Sequence, residues 1–135
     1  MNSLSTQQGL KAGLKFTVAL VAAVLAGCAT LSPAPEVVVK ERAQARWDAL
    51  VKGDLKTVYS YFSPGSRAVM SYEDYVVSVR RGFWKGATVN QVTCPSQESC
   101  EAQLTIEYEF QRRATKTPLR ESWIREGSDW WYVQK

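Results

Sequence analysis

The sequence contains no histidine, and among its 135 residues there are only three cysteines and five prolines. Without imidazole there is no His-activated nucleophile, no imidazole metal ligand and no ordinary pH sensor near neutrality. Three thiolates alone lack the fourth ligand that a zinc site normally requires. No Gly-rich phosphate loop of the Walker or dinucleotide-binding type occurs. Neither a cofactor nor a metal is therefore expected. Long apolar runs are missing as well: the stretch 16–25 is the most hydrophobic, and it falls short of the roughly 20 residues that a membrane span needs. What the chain does have is aromatic side chains, with 5 Trp, 6 Tyr and 4 Phe, and 45% hydrophobic residues. That is too much for a disordered tail, and the length suits one domain.

The first fifteen residues carry Lys11 and Lys15 and no acid, and an uncharged stretch from Phe16 to Leu25 follows. A basic start, a short apolar run and small residues at its end describe a secretory signal peptide. The quartet Leu25-Ala26-Gly27-Cys28 resembles the lipobox of bacterial lipoproteins. The resemblance implies cleavage before Cys28, a diacylglyceryl group on its sulfur and acylation of the new amino end. Ala29, rather than Asp, resembles lipoproteins sent to the outer membrane, facing the periplasm. The alternative is an ordinary signal peptide in which Cys28 has no part. The expected organisation is a signal peptide over 1–27, a lipidated Cys and short linker over 28–35, and a folded domain over 36–135.

With Lys11 and Lys15 removed, 17 basic side chains become 15 against 13 acidic, and the net charge falls from +4 to +2. That small excess argues against nucleic-acid binding. Cys94 and Cys100 remain as an even pair in an exported chain, bracketing a five-residue loop that a disulfide would close.

Helical signals fill the first half of the domain. Pro35 and Glu36 suit a first turn, and Val39, Ala43, Trp47 and Leu50 share one face. Gly53 reads as a left-handed cap and Asp54 as the next N-cap, followed by Leu55, Val58, Tyr59 and Phe62 on a second helix. Ser63-Pro64-Gly65-Ser66 reads as a turn. Ser71 and Asp74 approach a capping box before Tyr72, Tyr75, Val76 and Val79, which line a third helix ended by Gly82. The period then changes. Residues 101–110 alternate, with Ala102, Leu104, Ile106, Tyr108 and Phe110 on one side and Gln103, Thr105, Glu107 and Glu109 on the other. Strands are also expected over 84–94, 119–126 and 130–134, the last two joined at Gly127-Ser128-Asp129. The expectation is an α+β domain, with three N-terminal helices packed on a curved four-stranded antiparallel sheet. Neighbouring Trp123 and Ile124, and Trp130 and Trp131, put large apolar groups on both sheet faces. Either loops or the tether pack there, or a homodimer covers the back face.

The segments 46–54 (Arg46-Trp47-Asp48-Ala49-Leu50-Val51-Lys52-Gly53-Asp54) and 59–64 (Tyr59-Ser60-Tyr61-Phe62-Ser63-Pro64), with the closing Trp130-Trp131-Tyr132-Val133, resemble the NTF2-like (cystatin-like α+β) superfamily. That resemblance implies a cone in which a bent sheet wraps the helices and leaves a pocket. Superfamily members include isomerases, dehydratases and hydrolases as well as small exported proteins. A cone pocket here would draw on Trp47, Tyr59, Tyr75, Tyr108 and Trp123, although aromatics at such spacing are more often plain core. Asp48 is expected to face solvent, and Glu121 and Arg125 to form a surface ion pair. No two groups make a convincing acid/base pair and no catalytic residue is assigned. The first functional reading is therefore a lipid-anchored, non-catalytic binding or assembly module, with an unidentified protein partner or small ligand. The alternative is an enzyme acting on a small hydrophobic substrate in the pocket. Arg112, Arg113, Lys116 and Arg120 cluster around the loop between the second and third strands. They read as a solvated hairpin tip or as a contact with anionic phospholipid.

Overall fold

The computed structural model describes residues 32–135. Helix α1 (Pro35–Lys52) opens on a proline with Glu36 in its first turn, and Gly53 closes it at φ 79°. The Gly53 N–H donates to the Ala49 and Leu50 carbonyls, as a left-handed cap should. The buried face carries Val39, Ala43, Trp47 and Leu50, as their spacing predicts, together with Ala49 and Arg46. Asp54 caps α2 (Leu55–Ser60), accepting from the Thr57 N–H and hydroxyl. Those hydrogen bonds hold its carboxyl below the usual Asp range. Ser71 caps α4 (Tyr72–Ser78) through the Asp74 N–H.

The helix count corrects the expectation: there are four, not three. The segment read as a turn, Ser63–Ser66, opens a further helix, α3 (Pro64–Val69). The Ser63 hydroxyl accepts from the Ser66 N–H and Pro64 takes the first helical position, so turn-like residues are here helix-start chemistry. The last helix also stops at Ser78, short of Gly82, because Val79 is already extended at ψ 134°.

The sheet is an antiparallel meander, β1 (Trp84–Ser96), β2 (Ser99–Phe110), β3 (Arg113–Glu126) and β4 (Asp129–Tyr132), in that spatial order. Cys100, Ala102, Leu104 and Ile106 of β2 are buried on one face, opposite Trp123, Glu121, Leu119 and Thr117 of β3. Register breaks at three places in β1, and such bulges bend a strand and raise its twist. Strand β3 begins at Arg113 rather than near 119, because a two-residue turn, Gln111-Arg112, joins it to β2. Lys116 and Arg120 therefore lie on a strand and not in a loop. The outer edge of β4 is covered: the Tyr132 N–H donates to the Tyr61 carbonyl and the Ser63 N–H to the Tyr132 carbonyl, each at 2.8 Å.

Helix α1 lies across β1 and β2, with the Gln44 side chain clamped to the outer edge of β1. Its amide donates to the Ala87 carbonyl (2.9 Å) and accepts from the Val89 N–H (3.0 Å). The other sheet face carries the ion pairs of Lys116 with Glu107 (2.7 Å) and of Arg120 with Glu101 (3.4 Å), with Ile124 and Trp131 half-buried on the same side of β3 and β4. Trp123 and Trp130 are both buried within the chain itself. Cys94 and Cys100 stand at disulfide distance across the β1–β2 hairpin, with Cα atoms 4.0 Å apart. The described residues form one compact unit, and its core runs from Val39 to Trp130. A closed core of this kind lets the domain fold without the segment before it. Among the described residues no helix is long and apolar enough to cross a membrane.

Candidate functional site

A cavity of about 320 Å³ opens between α1, α4 and the sheet, lined by the apolar parts of Trp47, Leu50, Trp84, Ile106 and Leu119. Polar groups at its wall come from Arg46, Glu121, Tyr75 and Tyr132, with Ser78 and Gln134. Arg46 and Glu121, expected on the surface or not singled out at all, are only 4% and 3% exposed. They form an ion pair, and the Trp47 Nε1–H donates to the same carboxylate oxygen, Oε1, at 2.7 Å. The expected surface pair of Glu121 with Arg125 is thereby corrected. Arg125 is exposed, while Glu121 stands in the inward row between Leu119 and Trp123, where α1 presents Arg46.

Glu121 is the only carboxylate among the described residues lining this cavity. Its second oxygen, Oε2, and the Arg46 Nε are buried with no protein partner, one acceptor and one donor left unmatched inside the wall. The Arg46 guanidinium also stacks 4.0 Å from the Tyr132 ring centroid and 5.2 Å from that of Trp47. Burial pushes the Tyr75 hydroxyl up to about 12, against a smaller downward pull from Arg46. Tyr132 is raised for the same reason, again opposed by Arg46. Both phenols stay protonated through the physiological range. Each is suited to donate a hydrogen bond and unsuited to act as a base.

Of the five aromatics proposed to share a pocket, the structure brings Trp47 and Tyr75 to the cavity. Tyr59 packs instead against Phe62, Tyr72 and Tyr75, and its hydroxyl donates to the Met70 carbonyl. Tyr108 stacks on Phe83 at the far end of the sheet, with centroids 5.0 Å apart. Trp123 is wholly buried behind the wall. Trp47 meets the sheet through Trp84 on β1, edge to face at 5.5 Å. Asp48 is exposed, as expected. Sequence reasoning missed Arg46 and Tyr132 as site residues. The available signals were an acid in an apolar strand row and a base beside Trp47 on the helix. Among the described residues no three His, Cys, Asp or Glu side chains cluster as metal ligands. Cys28 lies outside the described residues.

The sequence matches no protein-family model and no curated protein. Solved structures do resemble the fold. A crystal structure of a SEC-C motif containing protein from Psychrobacter arcticus superposes with a TM-score of 0.61 at 11% identity. The match covers 78% of this chain and 63% of that one, so the chain spans less than two thirds of its length. The solution structure of a SEC-C motif containing protein from Rhodopseudomonas palustris gives 0.57 at 8% identity, over 69% and 73% of the two chains. At such identities the likeness is one of fold.

Proposed function

We propose that this protein is a lipid-anchored domain of the bacterial envelope, attached through Cys28 to the outer membrane and facing the periplasm. Its folded part, which resembles NTF2-like domains, then acts as a binding module and not as a catalyst. The anchor rests on the Leu25-Ala26-Gly27-Cys28 quartet, and the exported state also accounts for Cys94 and Cys100 as a disulfide. The observation that carries the non-catalytic reading is the state of Glu121. Arg46 and Trp47 both bond its Oε1, so the one carboxylate of the cavity wall is taken up in joining α1 to the sheet and is poorly placed to shuttle a proton. What remains is recognition: aromatic walls for a flat apolar body, with the polar side chains of Tyr75, Tyr132, Ser78 and Gln134 at the wall for its polar group.

Two measurements test this. Mass spectrometry of the mature N-terminus should find acylated Cys28, and an unmodified Cys28 peptide would sink the anchor. Benzamide, a flat ring with one amide, should saturably shift the NMR signals of residues lining the cavity. Leu119→Trp, which fills the cavity, should abolish that response. Turnover of a substrate that Glu121→Gln stops with the fold intact would replace binding by catalysis.

A further inference from the structure

Basic side chains gather at one end of the sheet. At the end of the sheet where β2 turns into β3 stand Arg80, Arg81, Lys85, Arg112 and Arg113, all exposed. None of the five has an ion-pair partner among the described residues. Arg80 stacks over Phe83, which stacks on Tyr108, so the segment before β1 is held against the same hairpin. Glu109 is the exposed acid on the strands beside them; at the other end Glu98 in the β1–β2 turn and Glu126 and Asp129 around the β3–β4 turn outnumber Arg125.

The hairpin tip is unusual in two further respects. Phe110 closes the inward row of β2 yet is 58% exposed, because the helical layer ends before it. Gln111 and Arg112 sit at φ 49° and 60°, left-handed positions that such turns usually fill with Asn and Gly. The chain accepts backbone strain in order to present a bare aromatic ring flanked by two arginines.

Helix α1 runs towards this tip, with Gln44 beside Ala87 and Val89 and then Trp47 beside Trp84, so its first residue points to the acidic end. Residues 29–34 span at most about 20 Å when extended, whereas a strand as long as β2 covers about 40 Å. A lipid on Cys28 therefore holds one end of the domain, and the basic finger sits at the other.

We infer that the Phe110–Arg113 turn, together with Arg80 and Arg81, docks on anionic phospholipid headgroups, so that the anchored domain lies along the bilayer on two points of attachment. Phe110 enters the headgroup layer and the arginines meet lipid phosphates. Lys116 and Arg120 take little part, since Glu107 and Glu101 already pair with them on the other sheet face. The orientation rests on the anchor proposed above, but the finger itself does not.

Flotation of residues 29–135, unacylated, with vesicles tests the docking. The domain should float with equimolar phosphatidylethanolamine and phosphatidylglycerol, stay behind with phosphatidylcholine alone, and detach as salt rises. Each basic residue at such a surface changes partition about fivefold, so Arg112→Gln with Arg113→Gln should lower it about 25-fold. Phe110→Ser, which removes an exposed ring and leaves the core untouched, should also lower it. Arg67→Gln, on α3 and away from the tip, should leave it unchanged. Equal flotation with both vesicle types, or full flotation of the tip variants, overturns the finger whatever the state of Cys28. An unmodified Cys28 overturns the anchor and leaves the flotation result standing.

Discussion

At the scale of single residues, the Arg46–Glu121 pair is the feature with the most at stake. Two charges taken out of water lose hydration that their attraction only partly returns, so the pair is no proof of added stability. Breaking it is a different matter. Glu121→Gln leaves Arg46 buried and uncompensated, and should lower the unfolding free energy by about 3–5 kcal/mol in a urea titration. Arg46→Met combined with Glu121→Leu should restore most of that loss. A single-variant cost below about 1 kcal/mol would mean that water already reaches the pair. Tyr75 offers a second test. Its hydroxyl is held near 12 when folded against an ordinary value of 10.0. Between those values the unfolded chain releases a proton that the folded chain keeps, so stability falls as pH rises through this window and is complete below it. Tyr75→Phe should flatten that alkaline decline, by on the order of 2 kcal/mol.

Among the elements, the long β1 is an edge strand, and edge strands expose backbone groups that invite pairing with other chains. Gln44 answers this locally, since its side-chain amide supplies one donor and one acceptor to Ala87 and Val89 much as a neighbouring strand would. Gln44→Ala should cost about 1–2 kcal/mol, because water replaces the amide on this half-buried edge. Hydrogen exchange at the Val89 amide should quicken, and self-association at high concentration should rise. Unchanged Val89 exchange would show that the clamp does not form. Helix α3 works in a related way. The Ser66 hydroxyl accepts from the Gln134 N–H, so a helix of only six residues ties down the end of the chain.

For the whole molecule, stability is shared between the core and the Cys94–Cys100 pair. A disulfide closing so short a loop contributes about 2.4 kcal/mol in the chain-entropy picture. Typical domains are stable by about 5–15 kcal/mol, so reduction should lower the melting temperature and leave a folded domain. Protein from the periplasm that alkylates at both cysteines would contradict the bridge. Complete unfolding on reduction would mean that the core around Trp123 and Leu104 is weaker than its burial suggests.

The sequence by itself determined whatever depends on near neighbours along the chain. The α1 face at Val39, Ala43, Trp47 and Leu50, the caps at Gly53, Asp54 and Ser71, and the alternation of β2 all follow from local period and local hydrogen bonding. Short segments were less legible. Ser63-Pro64 can open a turn or a helix, and only the packing of Ser63 and Ser66 against the end of β4 decided for α3. Alternation placed Phe110 with the core, but where the helical layer stops is set by distant parts of the chain, and there it leaves Phe110 bare. The candidate site was the least legible part. Arg46 and Glu121 are 75 positions apart, and each alone reads as a surface charge. Only tertiary structure brings them together, because a buried charge is tolerated just where the fold supplies its counter-charge.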